Sequence, residues 1–227
     1  MRDLKVLYFP HPVSAVEQKN SLLSEQLGGE FNLRIFDRSA APNRQFDDIE
    51  VIVDLGGNIT AELISIAAQA GVKYIQVQTN GLDHVEVEEI LDAGITLAHC
   101  PGDLSSVSLA EGAMMFILML AHGYGFATDE FFQGEVFSFQ GMEVAGRSLG
   151  ILGFGASGQQ LARRAKVFGM RVQGIDIREI EKEILREIGP ESMGGPEDLD
   201  NMIATCDFIS VPLHLNKDPR HIINSRR

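Results

Sequence analysis

Three glycines and one acid are the residues of this chain best placed for chemistry. Gly153, Gly155 and Gly158 stand in the spacing G-x-G-x-x-G where the apolar run Leu149-Gly-Ile-Leu152 ends, and Asp176 closes the next apolar run, 18 residues after Gly158. Each residue type has a physical job. Gly153 permits a tight turn out of a strand, Gly155 lets the backbone come close to a bulky anion, and Gly158 lets a helix pack closely on the strand. The turn Gly153-Phe154-Gly155-Ala156-Ser157-Gly158 would then present the free N–H groups of a helix N-terminus to a pyrophosphate, where the helix dipole favours negative charge. The Asp176 carboxylate would accept hydrogen bonds from the adenosine ribose hydroxyls and repel a 2′-phosphate, which favours NAD over NADP. Arg178, two positions on, is the type of residue that accommodates such a phosphate.

These residues work only if the elements around them place them. A lone glycine triplet is common in loops, so the context decides. Arg147–Leu152 reads as a buried strand. Leu161, Ala165 and Phe168 recur at helical spacing with Gln160, Arg163, Arg164 and Lys166 opposite. Gly169 stops that helix, and Arg171–Ile175 reads as a second strand. Together they make a βαβ unit.

Upstream, the first hundred residues alternate strand patterns (Lys5–Phe9, Phe31–Phe36, Glu50–Leu55, Lys73–Gln78, Ile95–His99) with helical ones (Ser14–Leu27, Thr60–Ala70, Val85–Ala93). Gly71 and Gly94 fall just past two helices, where a left-handed cap is common. The link from Phe36 to Glu50 reads as loop or short helix. After Pro101-Gly102-Asp103 the pattern becomes one long apolar helix, Ser105–His122, with Asp103 or Ser105 as its cap. Phe126–Gln140 is aromatic-rich and reads as irregular. Arg178–Asp200 is highly charged and reads as a solvated helix and loop, and Asp207–Val211 is a further strand. The expected fold class is α/β, with doubly wound parallel sheets.

Composition narrows the partners. The 227 residues carry 32 acidic and 19 basic side chains, a formal charge of −13. That balance argues against a nucleic-acid partner, which needs a basic face. The longest apolar run, Ala113–Ala121, is too short to span a bilayer, and residues 1–25 lack a signal-peptide pattern. A cytoplasmic protein with no membrane partner is expected. Cys100 and Cys206 are far apart, without metal-ligand spacing, so neither a disulfide framework nor a metal site is expected.

The order and spacing of several segments resemble the D-isomer-specific 2-hydroxyacid dehydrogenases, the group that includes phosphoglycerate, glycerate and D-lactate dehydrogenases. The segments are Asn80-Gly-Leu-Asp-His-Val85, Gly94-Ile-Thr-Leu-Ala98, Pro101-Gly102, Leu109-Ala-Glu111, Gly146-Arg-Ser-Leu-Gly-Ile-Leu-Gly-Phe-Gly155, Phe168-Gly-Met-Arg-Val172 and Val211-Pro-Leu-His-Leu215, and they cover nearly the whole chain. The resemblance implies two Rossmann-like domains with a cleft between them, a flavodoxin-like substrate domain over 1–100 and an NAD-binding domain over 101–227. It implies that Gly56 and Gly57, and likewise Asn80 and Gly81, lie on loops offering backbone N–H groups to a substrate carboxylate. Read from the residues alone, these are two turns after strands. It further implies that Ile177 and the segment Pro212-Leu213-His214 line the adenosine side, and that the region 105–140 packs in a homodimer, with the Met114, Met115 and Met119 stripe as core or interface.

The resemblance also implies an arginine that grips the substrate carboxylate and a histidine–glutamate pair that moves the hydroxyl proton, all in the final third of the family's sequence. No Arg-Gly pair of that kind stands near Asn224-Ser-Arg-Arg227, so these three residues are expected beyond the last residue and the second domain is expected to be incomplete. His84, read as starting a helix, His99, ending a strand, and His122, ending a helix, are better suited to structural roles. The implied reaction is hydride transfer between a small 2-hydroxy acid and NAD, with the 227 residues inactive alone. The alternatives are a non-catalytic NAD-binding or interaction protein, or one piece of a split enzyme. No run of basic residues near Gly57 or Gly81 points to a phosphorylated substrate.

Overall fold

The computed structural model describes residues 2–136, 141–213 and 221–225. The chain forms two compact units, Met1–Pro101 and Gly102–Arg227.

In the first unit, five parallel strands lie in the order β2-β1-β3-β4-β5: β1 Arg2–Phe9, β2 Phe31–Ile35, β3 Val51–Asp54, β4 Tyr74–Val77 and β5 Thr96–His99. Alternation along β1 explains the two faces of the sheet. Leu7 and Phe9 point into one apolar cluster with Ile52, Ile64, Ile75 and Ile90, while Val6 and Tyr8 point into another with Val53, Leu23 and Leu27. Helix α1 (Glu17–Glu30) lies on the second face, and α2 (Ala61–Ala70) and α3 (Val87–Asp92) on the first. Phe9 stacks on Phe36 with ring centroids 4.2 Å apart.

Local chemistry sets the helix ends. The Thr60 hydroxyl accepts from the Leu63 N–H at α2, and Gly71 closes that helix in the left-handed region at φ 93°. The link between β2 and β3 does contain a short 3-10 turn, Asn43–Phe46, whose Phe46 is buried. His84 does not start a helix: α3 begins at Val87, and His84 sits on the preceding loop.

In the second unit, α4 (Asp103–Ala121) and α5 (Tyr124–Phe132) precede a four-stranded parallel sheet. Its strands are β6 Ser148–Leu152, β7 Arg171–Ile175, β8 Ser192–Gly194 and β9 Phe208–Ser210, in the order β8-β7-β6-β9. Helices α6 (Ala156–Val167), α7 (Lys182–Ile188) and α8 (Leu199–Thr205) complete it. One face packs Leu149, Ile151 and Phe154 against Ala110, Met114 and Ile117 of α4 and Leu161 and Ala165 of α6. The other packs Leu152 and Ile175 against Leu199 and Met202.

Four sequence expectations change here. Tyr124–Phe132 is helical, although its aromatic run reads as irregular, and Phe137 and Phe139 lie outside the described residues. The charged stretch after Arg178 contains the strand β8, which pairs in parallel with β7. Neither Asp103 nor Ser105 caps α4: the helix already starts at Asp103, after a Gly102 cap with no side-chain bond, so Asp103 and Ser105 both stand within its first turn. Finally, α4 as a whole is long and apolar enough, by length and composition, to cross a bilayer, unlike its Ala113–Ala121 core. One stripe of α4, Ala110, Met114, Ile117 and Ala121, is buried against the sheet and α6.

Candidate functional site

In an open parallel sheet, ligands bind outside the carboxyl ends of the strands, where the strand order reverses. The second unit reverses between β6 and β9. The segments that leave those strands are Gly153–Gly158 and Val211–Leu213, so topology brings the glycine turn and the Pro212-Leu213 segment to one place.

The glycines have distinct tasks. Gly153 has φ 102°, and a Cβ there would lie 2.7 Å from Leu213 Cδ2 and 3.2 Å from the Pro212 carbonyl oxygen. A Cβ on Gly158 would meet the Gly153 carbonyl oxygen directly and sit 3.2 Å from Ile151 Cγ2, which is the tight packing of helix on strand. Gly155 caps α6 without a side-chain bond, and a Cβ there would meet only Arg178 Nη2, at 3.3 Å. The first turn of α6, with Ala156 and Ser157 partly exposed, therefore keeps backbone N–H groups without intrahelical acceptors, and no acidic side chain stands in that turn. This donor set fits a pyrophosphate.

Asp176 stands at the end of β7, its side chain only 6% exposed. Its Oδ2 accepts from the Phe154 N–H at 2.8 Å and from Arg178 Nη2 at 3.1 Å. Its Oδ1 accepts from the Arg178 N–H at 2.9 Å and from Arg178 Nε at 3.0 Å. Burial raises the pKa of this carboxyl, but the hydrogen bonds from Arg178 and Phe154 together outweigh it and hold the group below the usual carboxylate value. Ile177, beside it, is exposed. His214, the last residue expected on this side, lies outside the described residues.

In the first unit the strand order reverses between β1 and β3. Gly56 and Gly57 follow β3 with φ 113° and 70°, a backbone that side chains with a Cβ rarely adopt. The buried Asp54 carboxylate ties this turn by accepting from the Asn58 N–H at 2.8 Å. Burial pushes the Asp54 pKa up against the opposing bonds from Asn58.

The loop after β1 supplies His11. Asn20 clamps that loop, accepting from the His11 N–H and donating to the His11 carbonyl oxygen, both at 2.9 Å. The Val13 N–H donates to His11 Nδ1 at 3.2 Å, which leaves the ring proton on Nε2. That edge of the ring lies at Gly56, where a Cβ would be 3.3 Å from Nε2.

A cavity of about 390 Å³ opens here, lined by His11, Val16, Lys19, Leu55, Gly56, Thr79 and His84. Asn80 and Gly81 are on the loop just beyond Thr79. The Asn80 carbonyl oxygen faces His99 Nδ1 at 2.9 Å, and the Gly81 carbonyl oxygen accepts from the Thr79 hydroxyl at 2.9 Å. A Cβ on Gly57 would collide with the His84 ring.

Three cavity residues, His11, Lys19 and His84, were not linked to Gly57 by sequence reading. No run of basic residues stands near Gly57, as the sequence reads, but these separate basic side chains come together from two loops and α1. The available signal was Pro10-His11-Pro12, placed after β1 as Gly153 is placed after β6.

A larger hollow, of about 720 Å³, is lined by Gly141, Met142, Arg147, Arg171, Thr205 and Asp207. It lies at the amino ends of β6, β7 and β9, the edge opposite the glycine turn, and has no place in the chemistry. No group of three or more metal-ligating side chains stands together among the described residues.

Fold and site together define a pair of parallel α/β units, the second with a dinucleotide-type glycine turn. Residues 114–227 match the family model for the NAD-binding domain of the D-isomer-specific 2-hydroxyacid dehydrogenases. The chain belongs to that family, whose domain binds NAD. It is 34% identical over 175 residues to D-3-phosphoglycerate dehydrogenase of Methanocaldococcus jannaschii, which covers 76% of this chain and 32% of the relative. It is also 34% identical over 176 residues to hydroxypyruvate reductase of Thermotoga maritima, covering 77% and 54%. The chain thus matches about half or less of the length of these curated relatives.

Among solved structures, a glyoxylate reductase from Paecilomyes thermophila is similar with a TM-score of 0.78 and 26% identity over 98% of this chain and 69% of its own. D-lactate dehydrogenase of Aquifex aeolicus, complexed with NAD and lactic acid, is similar with a TM-score of 0.78 and 25% identity over 96% and 63%.

Proposed function

We propose that the second unit of this chain binds NAD on the Gly153–Gly158 turn and the first unit binds a small 2-hydroxy or 2-oxo acid in the His11–Gly56–His84 cavity. The reaction these two sites would serve is that of a 2-hydroxyacid dehydrogenase. Hydride leaves C2 of the hydroxy acid, the hydroxyl proton goes to a base, and a 2-oxo acid remains. Bound NAD supplies the hydride acceptor.

The observation that carries this reading is the same in both units: donor-rich turns at the carboxyl edge, where the strand order reverses. The α6 N-terminus, with Gly155, Ala156 and Ser157, would hold the pyrophosphate beside Phe154, whose own N–H is tied to Asp176. Asp176 and Ile177 would border the ribose, and Pro212, Leu213 and His214 the adenosine side. The N–H groups of Gly56, Gly57, Asn80 and Gly81 would take the acid's carboxylate, with His11 Nε2–H and the Lys19 ammonium adding positive potential.

The 227 residues are expected to bind without turning over, because no arginine–glutamate–histidine set of the family's pattern can be read in them. A homodimer through the 105–140 region is supported by the apolar side chains that α4 and α5 leave exposed, including Leu109 (58%), Leu120 (72%) and Phe132 (82%).

Thermal denaturation tests the binding. NAD at a hundred times its Kd should stabilise the protein by about 2.7 kcal/mol, and glyoxylate or hydroxypyruvate should add a further rise. A melting curve unmoved by NAD overturns the proposal for the second unit, and one unmoved by any 2-oxo acid overturns it for the first.

A further inference from the structure

The Gly56–Gly57 turn is built around one buried carboxylate, that of Asp54. Its Oδ2 accepts from the Asn58 N–H at 2.8 Å and from the Ile59 N–H at 3.4 Å, and its Oδ1 accepts from Asn58 Nδ2 at 3.3 Å. Asn58 Nδ2 also donates to the Leu55 carbonyl oxygen at 3.1 Å, which closes the turn. These bonds take the amides that follow the two glycines. The Gly56 and Gly57 N–H groups themselves find no acceptor among the described residues. Asn58 is next in the chain after Gly57, so the carboxylate and an anion bound on the glycines would hold neighbouring amides of one turn.

No cation pairs with Asp54 among the described residues; its donors are neutral amides. Arg38 acts on it only at a distance, and Arg38 Nη2 is directed instead at the Pro10 carbonyl oxygen. Tyr8, on the adjacent strand β1, stays a neutral phenol: burial and the Asp54 charge push it up to about 12, and its hydroxyl donates to Asn20. The other titratable groups at the turn are His11, Lys19 and His84 of the cavity. A buried carboxylate with no cation is unfavourable, and a second anion beside it adds repulsion. We propose that Asp54 is the positioning residue of the acid-binding turn: it shapes the turn through Asn58, and it takes a proton from solvent when a substrate carboxylate sits on Gly56 and Gly57. This rests on the reading of the cavity above as an acid site. The protonated carboxyl keeps a carbonyl oxygen for the Asn58 N–H, so the turn survives the loss of charge. Acid binding and protonation of Asp54 then favour one another by the same factor.

The test follows the Gly56 and Gly57 amide resonances of the isotope-labelled 227-residue chain as glyoxylate is added, from about pH 8 down to about pH 5. Wild type is compared with Asp54→Asn and Asp54→Ala, with circular dichroism reporting the fold. In the wild type the Kd should fall with pH, by up to about tenfold per pH unit. Asp54→Asn keeps an acceptor for the Asn58 N–H and carries no charge. It should bind at least as tightly as the wild type at the alkaline end, and keep only the shallower pH dependence that His11 and His84 contribute. Asp54→Ala, which removes the acceptor as well, should weaken binding about tenfold. An Asp54→Asn profile parallel to that of the wild type overturns the coupling, and Asp54→Asn binding much weaker than wild type overturns the positioning role of the neutral form. Failure of Asp54→Asn to fold does the same, because its side chain stands for the protonated carboxyl. Wild type against Asp54→Asn decides the proposal whether or not Asp54→Ala folds. No shift at either glycine at any pH, in wild type and Asp54→Asn alike, overturns acid binding at this turn and the coupling with it.

Discussion

Two of the three glycines in the turn make opposite demands, and exchanging each for alanine separates packing from ligand approach. In Gly158→Ala the new methyl meets the Gly153 carbonyl oxygen and sits 3.2 Å from Ile151 Cγ2. Neither can yield easily. The Gly153 N–H donates to the Ile175 carbonyl oxygen at 2.8 Å, tying this backbone to β7, and Ile151 is fully buried in the core. Relief must come from moving α6 outward, at an overpacking cost of about 1–3 kcal/mol. For a unit of this size that lowers Tm by roughly 4–12 °C, and NAD binding falls with it because the helix N-terminus moves.

In Gly155→Ala the backbone is unstrained at φ −75°, and the methyl meets only the tip of the exposed Arg178 side chain. Stability should stay within about 0.5 kcal/mol of wild type, while NAD affinity falls because the methyl stands where the pyrophosphate approaches. Scanning calorimetry with and without NAD reads both. A Gly158→Ala protein that melts with the wild type would refute the packing argument. A Gly155→Ala protein that binds NAD normally would refute the approach argument.

Three further outcomes follow from the structure. The raised Asp54 pKa means that the folded state holds this proton more tightly than the unfolded chain. The stability it lends is present below the unfolded pKa, about 3.9, and is lost as pH rises through the folded value. Asp54→Asn should accordingly raise Tm at pH 7 and not at pH 3, and a lower Tm at pH 7 would contradict this. Thr60→Ala removes the α2 cap, a long bond of 3.4 Å on an exposed side chain. It should cost about 0.5–1 kcal/mol in urea denaturation, and no loss would show that the cap is inert. Leu120→Asp places a charge in the exposed face of α4 and should shift the mass measured by light scattering from dimer to monomer. An unchanged mass would remove α4 from the interface.

What could be read in the sequence followed how local the signal is. The turn at Gly153–Gly158, the strands on either side and the helix stop at Gly169 are each fixed by neighbours a few residues away, and the structure has them in those places. Strand β8 was missed because Ser192-Met193-Gly194 has no apolar run of its own; parallel pairing with β7 makes it a strand. Its Met193 side chain packs where Gly174 leaves room. Helix α5 was missed because exposed phenylalanines give no periodic buried face. The His11–Gly56–His84 cavity was invisible for a different reason. Its residues come from three loops and α1, far apart in the chain, and only the strand order brings them to one edge. The engagement of Arg178 with Asp176 lies between these cases: the spacing was legible, but the saturation of the carboxylate needed coordinates.

The account rests most directly on where NAD docks. Backbone amide resonances of the isotope-labelled chain, followed as NAD is added, report this residue by residue. The account predicts saturable shifts of Phe154, Gly155, Ala156, Ser157 and Arg178, with Gly141, Arg147 and Arg171 at the opposite edge of the sheet unmoved. Shifts confined to that opposite edge, or none at saturating NAD, would contradict it.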